Sequence, residues 1–160
     1  MENYQKLIFV CTGNTCRSPM AEAIYKNLER VSTRKVMSRG LVVLFGEPIN
    51  PKAEIVLGKH ELEPVNHISK GLKASDIEEN TLILTMTANQ KRKVSEEYPE
   101  AEVYTIKEFA GEIGDVVDPY GGSLIDYEEC YIELARLVKK AVYKLNEKND
   151  RRMHNDSDRQ

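Results

Sequence analysis

A short segment near the N-terminus of the chain combines thiols, hydroxyls and a guanidinium. It consists of Cys11, Thr12, Gly13, Asn14, Thr15, Cys16, Arg17 and Ser18. Successive backbone N–H groups in such a loop, placed before a helix, form a concave site for an anion. We expect Gly13 to adopt a backbone conformation that a β-carbon would forbid. Because the planar guanidinium of Arg17 can hold two oxygens of a phosphoryl group, the segment is typical of a phosphate site.

Cys11 opens this segment and is the candidate nucleophile. The loop amides, the dipole of the following helix and Arg17 all favour a thiolate at this position, and a thiolate directed at phosphorus forms a phospho-cysteine. The hydroxyl of Ser18 could donate to the sulfur, and the amide of Asn14 could brace the loop. Cysteine is also a common packing residue at the end of a buried strand, but the arginine that follows in the same loop favours chemistry over packing.

A displacement at phosphorus also needs a proton donor, and the loop has none. Asp118 opens the segment Asp118–Gly122, in which a proline and two glycines indicate a turn. Its carboxylic acid could protonate the leaving atom, and the resulting carboxylate could activate the water that breaks the phospho-cysteine. Asp115 is a competing carboxylate. Asp-Pro pairs are also common in turns for structural reasons alone, so that alternative stays open.

Apolar runs and helical periodicity predict the elements that position these residues. Leu7–Val10 is a continuous apolar run typical of a buried parallel strand. The helix after the loop has Ser18 as its N-cap and Pro19 as its first residue. Further strands are predicted within Val36–Phe45, Leu82–Met86 and Val103–Ile106, and helices at Pro51–Gly58, Ala88–Glu97 and Tyr127–Leu145. This alternation predicts an α/β fold with helices on the faces of a parallel sheet.

Composition and charge narrow the class of protein. The 160 residues are 41% apolar and 31% charged, as expected for one globular domain. The net charge is −3 with the two signs interleaved, so we expect no nucleic-acid or membrane partner. The longest apolar runs are too short to span a bilayer, and Met1–Lys6 is too polar for a signal peptide. We therefore expect a cytoplasmic protein.

Residue distribution also predicts the domain organisation and the absence of a metal. We expect one domain over residues 1–145 and a polar, disordered tail over residues 146–160, because apolar residues almost vanish after Leu145. The three cysteines are an odd number, which argues against a disulfide framework. The histidines show no ligand spacing around the cysteines, so we expect no metal site and treat them as surface or packing residues: His60, His67 and His154.

Two separated motifs, Cys-x5-Arg-Ser from Cys11 and the later Asp118-Pro119-Tyr120, give a resemblance to a known family. The chain resembles the low-molecular-weight protein tyrosine phosphatases from Leu7 to about Leu145. The resemblance implies a three-layer, doubly wound α/β fold with a four-stranded parallel sheet flanked by helices. It also implies no metal or cofactor, and hydrolysis through a phospho-cysteine. We expect a monomer that acts on phosphorylated proteins.

The resemblance also implies a role for each site residue. Cys11 is the nucleophile and Asp118 the general acid. Arg17 clamps the phosphate together with the rest of the phosphate-binding loop, which is Thr12, Gly13, Asn14, Thr15, Cys16 and Ser18. Within this loop, Ser18 is the hydrogen-bond partner of the thiolate and Asn14 is the brace.

Within that family, residues Cys11–Glu22 look most like bacterial protein arginine phosphatases. Thr15 is the informative position, because tyrosine-specific members usually carry isoleucine there. Isoleucine presents an apolar wall to an aryl ring, whereas a threonine hydroxyl accepts hydrogen bonds from the N–H groups of phosphoarginine. Tyr120 is followed by two glycines where many tyrosine-specific members have a second aromatic. We expect protein phosphoarginine as substrate and phosphotyrosine as the alternative, with Thr15, Tyr120 and Phe45 setting specificity.

Two further positions carry hypotheses. Arg39 stands in Ser38-Arg39-Gly40, where the family commonly has alanine. It either points to solvent or faces the cleft and alters substrate choice. Cys16 could trap oxidised Cys11 as a disulfide and protect it from irreversible oxidation, while Cys130 is most simply a packing residue.

Two other classes of function fit the sequence less well. Arsenate reductases of the same fold need further cysteines after the loop, and Asn80–Gln90 contains none. A phosphoprotein-binding module needs the loop but no general acid. The presence of both Cys11 and Asp118 therefore favours an enzyme.

Overall fold

Four parallel strands form the centre of the computed structural model, which describes residues 3–29, 33–64 and 66–158, with side chains as far as residue 147. The strands are β1 (Lys6–Cys11), β2 (Lys35–Gly40), β3 (Thr81–Thr85) and β4 (Glu102–Thr105). They lie in the order β2-β1-β3-β4, and every neighbouring pair is parallel. All four strands therefore end at the same edge, which is where open α/β sheets bind their ligands.

The two central strands are buried along their whole length. Every residue of β1 and of β3 is buried, as expected for strands covered on both faces. Along β1, Leu7 and Phe9 belong to the larger core, while Ile8 and Val10 belong to the smaller one on the other face. The predicted three-layer α/β fold with a four-stranded parallel sheet is confirmed.

Helices cover both faces of this sheet. They are α1 (Arg17–Leu28), α2 (Pro51–Lys59), α3 (Ala88–Glu97), α4 (Ile106–Phe109) and α5 (Leu124–Asp158), with one 3₁₀ turn at Ala74–Asp76. Helices α1 and α5 pack over the larger core through buried side chains such as Met20, Leu134 and Val138, whereas α3 covers the smaller core with Val94. Within the described ranges, no helix combines the length and apolar character needed to cross a membrane.

Two helix boundaries differ from the sequence predictions. Helix α1 begins at Arg17, two residues before the predicted Pro19, with Cys16 at its N-cap. The prediction of Ser18 as N-cap is wrong because its hydroxyl contacts Cys11 instead. Helix α5 continues to Asp158, through residues where the sequence predicts a disordered tail, since no glycine or proline interrupts it. Residues 159 and 160 lie outside the described residues, and a domain boundary at residue 145 stays a prediction.

Candidate active site

The loop between β1 and α1 places a buried thiol at the carboxyl edge of the sheet. Cys11 is the last residue of β1 and is 3% exposed. Its Sγ accepts a hydrogen bond from the backbone N–H of Asn14 at 3.3 Å and lies 2.9 Å from Ser18 Oγ. Ser18 Oγ accepts from Asn14 Nδ2 at 2.8 Å, so its own proton is available to the sulfur. A thiolate at Cys11 can only accept, so the Asn14 N–H and the Ser18 hydroxyl would both donate to it, an arrangement that suits an anionic sulfur.

Asn14 carries the left-handed backbone conformation of this loop, with a φ of 57°. The sequence predicts a special conformation at Gly13 instead. That prediction is wrong, because Gly13 is not at positive φ and a β-carbon there would come no closer than 3.8 Å to Thr15 Oγ1. Asparagine enters the left-handed region more readily than most residues. The turn of the loop therefore depends on Asn14.

The side chain of Asn14 is fully buried and paired at both ends. Its Nδ2 donates to Ser18 Oγ and, at 2.9 Å, to Ser38 Oγ on β2, while its Oδ1 accepts from the backbone N–H of Lys70 at 3.0 Å. Its main-chain oxygen lies 2.7 Å from His67 Nε2. These contacts fit the brace expected of Asn14. Sequence reasoning missed His67, because a lone histidine distant in sequence carries no motif.

Most main-chain donors of the loop have no protein acceptor. Among the described residues, no acceptor pairs with the N–H groups of Thr12, Gly13, Thr15 and Cys16. Arg17 is buried beside them, and its Nη1 donates to the main-chain oxygen of Val116 at 2.8 Å, which fixes the guanidinium. Free amides next to a fixed guanidinium at the N-terminus of α1 can bind a tetrahedral dianion.

Asp118 is paired with the arginine of this loop. Its Oδ2 lies 3.6 Å from Arg17 Nη2, and its side chain is 50% exposed. Its Oδ1 accepts from the N–H of Tyr120 at 3.0 Å, a local turn that orients the carboxylate. The competing Asp115 instead accepts from the N–H of Ala88 at 2.9 Å, at the N-terminus of α3. Of the two candidate carboxylates, Asp118 therefore contacts the arginine of the loop, whereas Asp115 contacts the start of α3.

Comparison with known proteins agrees with this geometry. The family pattern described as low molecular weight phosphotyrosine protein phosphatase matches residues 6–151. The chain belongs to this family. A protein-arginine-phosphatase from Bacillus subtilis (strain 168) is 39% identical over 152 residues, which cover 91% of this chain and 99% of the relative. The low molecular weight protein-tyrosine-phosphatase PtpB from Staphylococcus haemolyticus is 39% identical over 136 residues, which cover 84% of this chain and 96% of the relative.

A solved structure of a family member shows the same fold. The YwlE arginine phosphatase from Geobacillus stearothermophilus superposes with a TM-score of 0.84 at 36% identity, and the match covers 89% of this chain and 94% of that one. The chain is therefore an enzyme, a low-molecular-weight cysteine-dependent protein phosphatase, as its resemblance to the family implies.

Two predicted specificity residues of this phosphatase are exposed aromatics. Phe45 is 68% exposed and Tyr120 is 75% exposed. Phe45 follows a segment in which Val42 donates its N–H to the main-chain oxygen of Thr12 at 2.9 Å, and Tyr120 lies in the turn that orients Asp118. Both rings therefore belong to segments that contact the site, and neither ring is part of the core.

Arg39 is held by an ion pair with the 3₁₀ turn. Its Nε and Nη2 lie 3.1 and 3.3 Å from the two carboxylate oxygens of Asp76. Burial raises the pKa of Asp76, but the N–H of Lys73 and the Arg39 guanidinium outweigh burial and hold that pKa below its ordinary value. On β2, Arg39 alternates with Ser38, which faces Asn14. The side chain of Arg39 is 18% exposed, so the hypothesis that it points freely to solvent is wrong, while an effect of Arg39 on substrate choice stays a prediction.

The other two thiols of the phosphatase are buried. Cys16 Sγ lies 3.7 Å from the hydroxyl of Tyr127 and 3.8 Å from that of Thr15, and burial raises the pKa of its thiol. Cys130 lies in the larger core, as predicted, and burial raises its pKa to about 12. In the part of the chain that the structure describes, no three potential metal ligands lie together.

Proposed function

We propose that the chain is a protein arginine phosphatase in which Cys11 is the nucleophile, Arg17 the phosphate clamp and Asp118 the general acid. The free hydroxyl of Thr15 is the observation that favours phosphoarginine. Thr15 is a half-buried loop residue, and among the described residues its hydroxyl makes a single long contact, to Cys16 Sγ. The hydroxyl oxygen is therefore free to accept from a guanidinium N–H. Relatives named protein-arginine-phosphatase support the proposal.

The first step transfers the phosphoryl group to sulfur. The Cys11 thiolate attacks phosphorus and the P–N bond of phosphoarginine breaks. Asp118 gives its proton to the leaving nitrogen, which departs as the guanidinium of arginine. Arg17 and the loop amides hold the phosphoryl oxygens as the charge on them changes.

The second step returns the enzyme to its starting state. The Asp118 carboxylate takes a proton from a water molecule, whose oxygen attacks phosphorus. The S–P bond then breaks, inorganic phosphate leaves, and Cys11 is again a thiolate. Ser18 and the N–H of Asn14 donate to this sulfur, and these contacts assist its departure.

Phosphotyrosine is the second candidate substrate. The exposed rings of Phe45 and Tyr120 could flank an aryl ring. The relative named as a tyrosine phosphatase in Staphylococcus haemolyticus also shows the same 39% identity as the arginine phosphatase of Bacillus subtilis. Overall sequence identity thus does not distinguish phosphoarginine from phosphotyrosine as the substrate. The argument for phosphoarginine depends on Thr15 in the loop.

Phosphate release from matched phosphoarginine and phosphotyrosine peptides distinguishes these candidates, with Cys11→Ser as the blank. We expect the wild type to prefer phosphoarginine. Thr15→Ile should lose up to about a hundredfold on that substrate, the effect of a lost polar contact of ~1–3 kcal/mol. Thr15→Ser keeps the hydroxyl and should keep the preference. Preference for phosphotyrosine in the wild type would assign the enzyme to the tyrosine phosphatases.

We also propose that Cys16 protects Cys11 during oxidation. Peroxide converts the Cys11 thiolate to a sulfenic acid with release of hydroxide. The Cys16 thiol then attacks that sulfur, forming a disulfide with loss of water, and an added thiol reduces it. Both residues are buried in the same loop. After peroxide treatment, dithiothreitol should restore the wild type but not Cys16→Ser; equal recovery of the two proteins would contradict the proposal.

We further propose that the enzyme is a cytoplasmic monomer whose partners are phosphorylated proteins. The net charge of −3 and the interleaved charges support a partner other than nucleic acid. Light scattering of the purified chain tests the monomer.

A further inference from the structure

Two parts of the candidate site meet at one short stretch of chain. One part is the loop that begins at Cys11, and the other is the segment that ends at Asp118. The stretch is residues 86–90, which join β3 to the first turn of α3, and we call it the β3–α3 junction. Hydrogen bonds from this junction reach both parts of the site.

Gln90 connects the junction to the Cys11 loop. It is 4% exposed, and its Oε1 accepts from the backbone N–H groups of Met86 at 3.0 Å and Thr87 at 3.1 Å. Because the oxygen end of the amide is occupied twice, Nε2 is turned to Thr12 Oγ1, at 3.1 Å. An amide nitrogen only donates, so the Thr12 hydroxyl accepts here. The residue directly after the candidate nucleophile is thus fixed by a buried amide of defined orientation.

Asp115 connects the same junction to the segment that carries the general acid. Its Oδ1 accepts from the N–H of Ala88 at 2.9 Å. The next residue, Val116, donates its N–H to the main-chain oxygen of Met86, also at 2.9 Å. The chain that leads to Asp118 is therefore held by a side-chain bond and a main-chain bond to the junction, which also contacts Thr12 through Gln90.

We propose that Gln90 and Asp115 are positioning residues that set the distance between nucleophile and general acid. Gln90 acts through Thr12, and Asp115 acts through the chain that leads to Asp118. A shift of about 1 Å between reacting groups can cost up to about a hundredfold in rate, so loss of these bonds lowers kcat more than it changes KM. This inference rests on the roles of Cys11 and Asp118 under the proposed function.

The Asp115 side of the junction is tested with Asp115→Ala and Asp115→Asn. Asparagine keeps an oxygen that can accept from the N–H of Ala88, whereas alanine removes it. We expect Asp115→Ala to lower kcat on a phosphoarginine peptide about tenfold with KM little changed, and Asp115→Asn to restore most of that loss. The loss should be smaller on p-nitrophenyl phosphate, whose leaving group needs less protonation. An equal loss on both substrates, or no rescue by asparagine, would overturn this role.

The Gln90 side is tested with a double-mutant cycle. Gln90→Met keeps the length of the side chain but removes its three hydrogen bonds, and Thr12→Val removes only the bond between the two residues. We expect each change to lower kcat about tenfold and the double variant to be no slower than the slower single variant. Effects that multiply would show that Gln90 does not act through Thr12. If Gln90→Met fails to fold, an unchanged kcat in Thr12→Val gives the same negative answer.

Cys11→Ser and Asp118→Asn, measured in the same assays, separate this inference from the proposed function. An active Cys11→Ser, or an unimpaired Asp118→Asn, would contradict the assigned chemistry. If both of these variants are impaired while Asp115→Ala and Thr12→Val match the wild type, the junction proposal alone fails. Thermal melts of all variants, with kinetics at a temperature below every transition, ensure that lost activity does not reflect unfolding.

Discussion

Individual side chains far along the sequence hold the Cys11 loop in place. The left-handed backbone of Asn14 costs energy for a residue other than glycine. Contacts from His67 and Ser38 to Asn14 offset this cost and keep its N–H directed at Cys11. The loop therefore owes its shape to residues outside it as much as to its own sequence.

Replacement of His67 tests this support. We expect His67→Ala to lower kcat/KM about tenfold, because Asn14 and the N–H that it directs at Cys11 would shift. His60→Ala is the matched control, since His60 pairs with Glu128 on α5 rather than with the loop. Steady-state kinetics on a phosphorylated peptide measure both variants. Identical kcat/KM values for His67→Ala and His60→Ala would mean that the loop keeps its conformation without the contact from His67.

Cys130 provides a test that depends on pKa. Burial raises the pKa of its thiol to about 12, so that at pH 8 roughly one thiol in ten thousand is ionised, a fraction that rises tenfold per pH unit. We expect iodoacetamide to leave Cys130 unmodified in the folded protein between pH 7 and 9, and to modify it in urea. Peptide mass spectrometry of Cys11→Ser makes the measurement. Labelling of the folded protein at the rate of an exposed thiol would contradict the burial.

The candidate site residues that the sequence reveals belong to contiguous motifs. The loop at Cys11 and the turn at Asp118 are such motifs, and each combines a reactive group with its structural context. His67 and Gln90 contact the loop through hydrogen bonds that form only when distant segments pack, so no local pattern reveals them. Gln90 does take part in a capping box, but this pattern indicates a helix start and not the contact with Thr12.

Among the elements, β2 must end in close contact with the loop. Gly40 is its last residue, and a β-carbon there would lie 2.9 Å from the main-chain oxygen of Thr12 and 3.0 Å from Asn14 Cβ. Immediately afterwards, Leu41 and Val42 donate their N–H groups to the same oxygen of Thr12, each at 2.9 Å. The strand end and the loop can approach this closely because residue 40 has no side chain.

Gly40→Ala should therefore disturb the loop. Contacts this short force the loop backbone to move, so we expect kcat/KM to fall at least about tenfold and the free energy of unfolding to fall by about 1–3 kcal/mol. Gly58→Ala in α2 is the matched control. A β-carbon there meets no atom within 4 Å, and alanine should stabilise the helix by about 0.5–1 kcal/mol. Kinetics and urea unfolding measure both; unchanged kinetics in Gly40→Ala would contradict the close fit.

The type of each long element is predictable from the sequence, while its ends depend on tertiary contacts. Apolar runs reveal β1 and β3 because both strands are buried on both faces. The start of α1 is not predictable in this way, since Ser18 resembles a cap but its hydroxyl contacts the Cys11 sulfur instead. The short helix α4 (Ile106–Phe109) has too few residues for a periodic signal and is missed.

For the whole molecule, the site lies where the order of the strands reverses. Strand β1 has β2 on one side and β3 on the other, so the chain after β1 enters α1 on one face and the chain after β3 enters α3 on the opposite face. The segment that leads to Asp118 joins the two sides, with Asp115 bonded to α3 and Val116 bonded to Arg17. The complete site therefore exists only when all layers are assembled.

Phosphate binding should consequently stabilise the entire domain. An anion that binds only the folded chain adds about 2.7 kcal/mol to the free energy of unfolding at a hundredfold excess over its Kd. For a domain of this size, that increment raises Tm by roughly 5–11 °C. Thermal melts with inorganic phosphate replacing chloride at constant ionic strength measure the shift.

Variants of the two charged side chains locate the bound anion. Asp118→Asn keeps the guanidinium and the loop amides and removes a nearby negative charge, so its shift should equal or exceed that of the wild type. Arg17→Lys loses the planar pair of donors, so its shift at the same phosphate concentration should be much smaller. An undiminished shift in Arg17→Lys would mean that phosphate binds outside the Cys11 loop, because phosphate bound in the loop would lose its contacts with the guanidinium.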